Sequence, residues 1–192
     1  MKKTWIVLAC LAAVIILVGS AYNTIISKSE AVKNAWAQVE NVYQRRADLI
    51  PNLVATVKGY AAHEQNTLEG VMEARAKASQ TVIDPTQMTP ESLQQFQAAQ
   101  SEVSNALGRL MVVVERYPDL KANQNFLELQ AQLEGTENRI ATERKRFNEA
   151  TQAYNTYILR FPNNLLANLF GFEQKPYFTA DEGANQVPKV QF

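Results

Sequence analysis

The sequence predicts an all-α protein: an N-terminal transmembrane helix followed by a bundle of long antiparallel helices, similar to a helical hairpin or coiled coil. Three observations lead to this fold class in a chain of 192 residues. The chain opens with a long apolar stretch without charged side chains. Apolar residues then recur at alternating steps of three and four, which indicates packed helices. Prolines divide that pattern into three long intervals, which predicts helix boundaries there.

The apolar stretch runs from residue 4 to residue 27, directly after Lys2 and Lys3. A helix needs about 20 mostly apolar residues to cross the core of a bilayer. Trp5 and Tyr22 lie near the two ends of the stretch, where aromatic side chains favour the membrane interface. We therefore predict a membrane anchor over residues 1–27.

Two alternatives to an uncleaved anchor stay open at this point. The small residues Gly19-Ser20-Ala21 fit the cleavage site of a signal peptide. Cys10 follows Val7-Leu8-Ala9, which suggests a lipidation box, but the apolar run continues beyond that cysteine. The anchor is favoured because Ile25 and Ile26 extend the apolar character past the small residues.

The predicted location is the cell membrane, crossed once, with the main domain outside the cytoplasm. Lys2, Lys3 and the terminal amine lie on the short side of the apolar stretch, whereas Lys28 and Lys33 follow it. Positive charge tends to stay on the cytoplasmic side. The slight excess before the stretch therefore places the N-terminus inside.

Prolines and capping residues predict where the later helices begin and end. Thr89 before Pro90 has the chemistry of an N-cap followed by a first helical residue. Asn163 can cap a last short helix. Pro51 lies inside the first interval and removes a helical hydrogen bond, so we expect a kink or break near Ile50.

The helical bundle is predicted over residues 28–172, with a C-terminal tail over residues 173–192. Helices over 29–79 and 119–160 would be about 75 Å and 60 Å long, with a shorter one over 90–117 between them. The apolar positions are Val32, Trp36, Val39, Tyr43, Ile50, Leu53, Val57, Tyr60 and Val71, then Leu93, Phe96, Val103, Leu107, Leu110, Val114 and Tyr117, then Phe126, Leu133, Ile140, Phe147, Tyr154, Ile158 and Phe161.

Four charged residues fall on this apolar register: Arg46, Glu64, Glu137 and Arg144. The uncharged Gln100 does the same in the second interval. A lone buried charge is costly, whereas a paired one can be retained. We predict antiparallel helices in which some of these charges pair across the core and fix the register. Alternatively, slight rotation leaves each charged group at the flank, with its stem buried and its head in water.

Apolar side chains crowd together again near the end of the bundle, and the predicted contact residues are Leu169, Phe170, Phe172, Tyr177 and Phe178. This segment either folds back over the end of the bundle or contacts a partner or a bilayer. Further on, Val187, Val190 and Phe192 can add to the sheet edge of a partner.

Several runs of this sequence resemble the LemA family. They are AWAQV at 35–39, QRRADLIPNLV at 44–54, VKGY at 57–60, EARA at 73–76, NQNF at 123–126, LQAQLEGTENRI at 129–140, YN at 154–155, FP at 161–162 and FGF at 170–172. The resemblance implies a membrane segment followed by a long helical hairpin or bundle. It implies no catalytic residues, and a relative associated with magnetosome membranes suggests membrane organisation by analogy.

Composition argues against several chemistries. Nineteen basic residues balance nineteen acidic ones, so no nucleic-acid-binding face is indicated. Cys10 and His63 are the single cysteine and histidine, too few for a structural zinc site. His63-Glu64 is half of a metalloprotease motif, but Thr67 stands where the second histidine is needed. We predict no catalytic residues, no metal and no cofactor.

The predicted function is that of a membrane-anchored, non-catalytic scaffold or interaction protein of the bacterial envelope. Self-association into a homo-oligomer and an unidentified protein partner are expected. The alternative is a ligand-sensing or adaptor module that regulates a membrane partner. A pocket lined by the register charges would favour sensing, and a filled core with side-to-side contacts between protomers would favour scaffolding.

Overall fold

The computed structural model describes residues 2–179, and within that range it contains helices and no strand. The helices are α1 (Lys2–Lys58), α2 (Gln65–Gln80), α3 (Pro90–Val114), α4 (Pro118–Lys121), α5 (Gln124–Leu159) and α6 (Asn163–Phe170). The predicted all-α fold is therefore confirmed. Val187, Val190 and Phe192, and with them most of the predicted tail, lie outside the described residues.

Helices α1 and α5 form the main antiparallel pair. Lys28, early in α1, lies over the ring of Tyr157 at the end of α5. At the other end of the pair, Asn123 just before α5 donates a hydrogen bond to the hydroxyl of Tyr60 just after α1. Helices α2 and α3 pack on each other, and α2 also packs on α1.

A kink or break was expected near Ile50, and the structure shows that the first helix does not break there. Helix α1 is continuous through Pro51 and ends at Lys58, and the chain turns over residues 59–64 before α2 begins. Proline cannot donate to the carbonyl four residues earlier, which belongs to Ala47. The Arg75 side chain in α2 supplies the missing donor, since its Nε lies 2.6 Å from the Ala47 oxygen.

The start of α3 follows the prediction, and the start of α6 does not. The Thr89 side chain accepts a hydrogen bond from the Ser92 amide, and the Ser92 hydroxyl accepts one from the Thr89 amide. In α6 the N-cap position is Pro162, which makes no side-chain cap. Asn163 is the first helical residue. Its side-chain amide donates a hydrogen bond to the Tyr157 carbonyl and so closes the turn after α5.

Two apolar clusters fill the bundle, one at each end. The anchor-side cluster lies towards the apolar start of α1 and contains Ile25, Val32, Trp36, Val39, Tyr43, Ile83, Met88, Leu93, Phe96, Ile140, Phe147, Tyr154, Ile158, Ala167 and Phe178. The distal cluster contains Ile50, Leu53, Val57, Ala61, Leu68, Val71, Ala78, Ala99, Val103, Ala106, Leu107, Leu110, Val114, Leu120, Phe126 and Leu133. Burial of these side chains supplies the main drive for folding.

Candidate functional site

Arg46 lies in α1 between the two apolar clusters, because its position follows Tyr43 and precedes Ile50 on the same helix face. Its side chain is only 3% exposed. One terminal nitrogen donates to the Ser104 hydroxyl at 3.0 Å and to Glu137 at 2.9 Å. The other donates to the backbone oxygen of Gln100 at 3.1 Å and to its side-chain oxygen at 2.6 Å.

These contacts make the buried charge of Arg46 tolerable. A desolvated guanidinium needs acceptors for its fixed fork of N–H donors, and α3 and α5 provide them together. Its planar head also lies 5.0 Å from the centroid of the Tyr43 ring, a favourable arrangement for a cation. Arg46 thus joins three helices at one point.

A polar cleft opens beside this network, between α3 and α5, with a volume of about 620 Å³. Arg46, Glu137 and Arg144 line it, so three of the four predicted register charges meet there. Its remaining lining is mostly amide and hydroxyl side chains: Gln94, Gln97, Gln100, Ser101, Ser104 and Asn105. Such a surface can exchange hydrogen bonds with a polar ligand or a partner segment.

Arg144 lies at the end of the cleft and holds the tail. Its Nη2 donates to the Thr179 carbonyl at 3.0 Å, and its guanidinium lies 4.8 Å from the centroid of the Phe178 ring. Gln97 from α3 donates to the same carbonyl at 2.8 Å. The tail therefore spans the gap between α3 and α5 at this end of the cleft.

Glu64 is far from the other register charges. Because α1 ends at Lys58, Glu64 lies in the turn before α2 rather than on a helix facing α5. It accepts hydrogen bonds from Arg116 at 3.0 Å and from the Tyr117 hydroxyl at 3.1 Å. Burial raises the pKa of Tyr117, and the bonded Glu64 carboxylate adds to that rise. The contact ties together the two turns at the distal end.

The structure separates the predicted tail contacts into inward and outward groups. Phe178 is buried and packs against Trp36 and Phe147, with ring centroids 6.0 Å and 5.4 Å away. Phe172 is partly buried beside the anchor-side cluster. Phe178 therefore packs inside this chain rather than facing a partner, whereas for Phe172 the predicted contact stays a prediction. Leu169, Phe170 and Tyr177 remain exposed.

Two asparagines of α5 hold the tail by its backbone, and the sequence analysis missed both. Asn155 donates to the Lys175 carbonyl and accepts from the Lys175 amide, at 2.8 Å and 2.9 Å. Asn148 does the same with Phe178, at 3.0 Å and 2.9 Å. The two lie seven residues apart, hence on one helix face. The seven-residue spacing of these two asparagines, on the face of α5 turned away from solvent, was the sequence signal that could have identified them.

Lys175 is half enclosed where the tail meets the rest of the bundle. Its ammonium donates to the Pro85 carbonyl at 3.3 Å. Burial lowers the pKa of Lys175, and Lys33 lowers it further, while Asp84 and Glu30 oppose the change. The tail therefore also contacts the α2–α3 connection.

Within residues 2–179, no three histidine, cysteine, aspartate or glutamate side chains are grouped closely enough to hold a metal ion. His63 is exposed in the turn after α1. The cleft thus offers hydrogen bonds and charge, with its ionic groups already engaged by one another and by the tail.

The fold and the cleft together define a class of protein: an antiparallel helical bundle whose first helix begins as an apolar segment long enough to cross a membrane. The family model described as LemA family matches residues 35–192. The chain belongs to the LemA family, as the sequence motifs predicted.

Known proteins from three organisms are similar to most of this chain. Magnetosome protein MamQ 2 of Paramagnetospirillum magneticum is 30% identical, over 88% of this chain and 68% of that protein. Magnetosome protein MamQ of Magnetospirillum gryphiswaldense is 28% identical, over 82% of this chain and 64% of that protein. Protein LemA of Metamycoplasma hominis is 24% identical, over 83% of this chain and 69% of that protein.

Proposed function

We propose that this chain is a single-pass, membrane-anchored interaction protein of the cell envelope, without catalytic activity, whose rigid bundle docks partner proteins. One observation carries the proposal: the apolar segment and the core of the bundle belong to the same uninterrupted helix. Helix α1 contributes Ile25, Trp36 and Val57 to the core, and the same helix begins at Lys2. A bundle built on its own membrane helix keeps a fixed height and orientation above the bilayer.

The exposure pattern along α1 supports the anchor. From Trp5 to Leu17 every side chain is exposed, although the segment is apolar. From Ile25 onward the apolar side chains of α1 turn into the bundle. An apolar helix surface without a protein partner is suited to lipid. The charge asymmetry around it favours the bundle on the outer side.

The polar outer faces and the filled core favour docking over chemistry. Arg46 and Glu137 bind each other, and Arg144 binds the tail. These ionic groups therefore connect one helix to another and α5 to the tail. Self-association through the long faces of α1 and α5 and binding of a second protein are both parts of the proposal. The magnetosome proteins among the relatives are consistent with a role in organising a membrane compartment.

The test is crosslinking in intact membranes followed by mass spectrometry. Crosslinks between copies or to a recurrent second protein are the expected result. The matched control is the same preparation dispersed in detergent and diluted before crosslinking, which should remove those products. Recovery of monomer alone from intact membranes contradicts the docking proposal.

A second candidate function, sensing of a polar ligand, is favoured by the cleft between α3 and α5. Its lining includes Arg46, Glu137 and Arg144. A ligand bound there would raise the thermal midpoint of the full chain. Ser101→Trp, which fills the cleft, should abolish the shift, and Val112→Trp on an exposed face of α3 should keep it. A shift that survives Ser101→Trp argues against this site.

A further inference from the structure

Helix α6 packs against α1 at the end of the apolar segment. The Tyr22 ring of α1 lies edge-on to Phe170, with centroids 5.1 Å apart. Beside this contact, a groove of about 390 Å³ separates the two helices, and apolar side chains such as Leu17, Leu165 and Leu166 dominate its lining. The bundle therefore reaches back along α1 as far as Leu17.

This position sets the depth of α6 relative to a bilayer. The part of α1 from Trp5 to Ile16 stands clear of the bundle and is about 18 Å long. The hydrocarbon core of a bilayer is about 30 Å thick. If α1 crosses the membrane, the turns of α1 that α6 contacts are the last ones inside the hydrocarbon core. Helix α6 is then held at the boundary between acyl chains and headgroups.

The outward face of α6 has the composition that this boundary requires. Phe161, Leu165 and Leu169 are 80%, 59% and 75% exposed, and with the half-exposed Phe170 they form the α6 patch. The segment 161–172 contains no charged residue. Short amphipathic helices with such a face bury it into the upper acyl region. Large exposed apolar patches on a soluble surface would instead promote aggregation.

Two cations lie next to the patch on the side away from the apolar segment. Lys28 and Arg160 line one shallow hollow between α1 and α5. Lys28 is six residues beyond Tyr22 on α1, which corresponds to about 9 Å. Headgroup phosphates lie at about this distance outside the hydrocarbon, where basic side chains are favoured.

We propose that the α6 patch is inserted in the outer part of the bilayer that α1 crosses, with Lys28 and Arg160 at the level of the lipid phosphates. The inference rests on the proposed anchor and deepens it. The chain contacts lipid at two places, and the second fixes the tilt of the bundle on the membrane. Lipid is preferred over a protein occupant because the patch is continuous with the apolar surface of α1 and lies at its depth.

The experiment uses the full chain with Cys10→Ala, so that each variant carries a single introduced cysteine. A fluorescent label is attached to that cysteine, and the labelled protein is reconstituted in vesicles of phosphatidylcholine and phosphatidylglycerol. The test variant is Leu169→Cys in the patch. The control is Val112→Cys on α3, equally apolar and 69% exposed but at the distal end. Vesicles with brominated acyl chains should quench the Leu169→Cys label by about half or more. The Val112→Cys label should keep its emission.

Flotation of the vesicles is measured on the same samples and separates the possible failures. Chain that floats, with a Leu169→Cys label no more quenched than the control label, overturns the α6 insertion and leaves the anchor standing. Chain that does not float overturns both. A disulfide between two copies of unlabelled Leu169→Cys chain in the same vesicles, with no quenching of the labelled chain by brominated lipid, assigns the patch to a second copy of the chain and overturns the lipid proposal.

Discussion

At the residue scale, Arg46 is the centre of the bundle, since it joins α1 to α3 and α5 by four hydrogen bonds. It also separates the distal apolar cluster from the anchor-side cluster. A slip of one helix turn would leave a buried guanidinium facing apolar side chains, which is strongly unfavourable. Arg46 therefore specifies the helix register.

Replacement of Arg46 by alanine is expected to lower the free energy of unfolding by about 3 kcal/mol, because it leaves Gln100 and Ser104 without their donor. Arg45→Ala is the matched control, since Arg45 is exposed on the same helix and should change stability by less than about 0.5 kcal/mol. Urea unfolding of the full chain in micelles, followed by circular dichroism, measures both. Equal losses would contradict the role given to Arg46.

Glu40 is expected to make stability depend on pH. Burial raises the pKa of its carboxyl above the ordinary 4.5, and the nearby indole of Trp36 offsets part of that rise. As pH increases, the unfolded chain ionises first, so stability falls between the unfolded and the higher folded pKa and then stays constant. Glu40→Gln should therefore raise the thermal midpoint at neutral pH.

The gain from Glu40→Gln should disappear at about pH 3, where both states hold the proton. Glu134→Gln on the exposed face of α5 is the control and should show no such pH-dependent gain. Thermal scans of the three chains at the two pH values make the comparison. A gain in thermal midpoint of equal size at both pH values would show that it does not come from removing a partly buried negative charge.

At the element scale, a side chain of α2 bonds to a backbone carbonyl of α1 that has no donor in its own helix. Pro51 leaves the Ala47 carbonyl without its donor in α1, and Arg75 from α2 bonds to it. The proline therefore leaves an acceptor without a donor in its own helix, and here a neighbouring helix supplies the donor. This explains how α1 stays continuous where a break was expected.

A double-mutant cycle tests this link between α1 and α2. Arg75→Met alone should cost about 2 kcal/mol, since a partly buried carbonyl loses a charged donor. In a Pro51→Ala background the helix supplies its own donor, so the same change should cost at least about 1 kcal/mol less. Lys77→Met, on the exposed side of α2, serves as control and should be additive with Pro51→Ala in urea unfolding.

The tail is held on α5 by the side chains of Asn148 and Asn155, each of which bonds both backbone groups of one tail residue. Asn148→Ala with Asn155→Ala should release it and speed amide exchange at Lys175 and Phe178 by about 30-fold or more. Asn138→Ala on the exposed face of α5 should leave that exchange unchanged. Unchanged exchange in the double variant would show that the two asparagines are not what holds the tail.

At the scale of the whole molecule, the helix that begins with the apolar segment, the bundle and the described part of the tail are consecutive and packed on one another. The tail completes the aromatic cluster around Trp36, and α6 contacts α1 at Tyr22. If α1 crosses a membrane as proposed, a movement of the bundle relative to that membrane would require α1 itself to bend. Such rigidity is what the proposed docking role requires.

Membrane insertion through the first part of α1 is tested by placing charge in it. Leu11→Arg with Val14→Arg should prevent stable insertion, because each arginine near the helix centre costs about 2.5–3.5 kcal/mol. Val112→Arg, on an exposed face of α3, should leave the chain in the membrane fraction after alkaline washing and flotation. A double variant that still floats would argue that the bundle, rather than α1, holds the chain at the membrane.

The sequence by itself determined the helical class, the apolar N-terminal segment, the capped start at Thr89 and the family. These depend on periodicity, local capping chemistry and residue identity, which neighbouring residues define. It also identified Arg46 and Glu137 as charges on the core register, because register follows from the three-four spacing.

Only the tertiary structure decided which groups meet across the chain. Glu137 lies 91 residues after Arg46, and nothing local indicates that Arg144 binds the tail or that Glu64 falls in a turn. The Ala47 carbonyl that Pro51 leaves without a helical donor is bonded by Arg75, 28 residues further along the chain. Local rules state which donors and acceptors are left over, and packing decides which of them become partners.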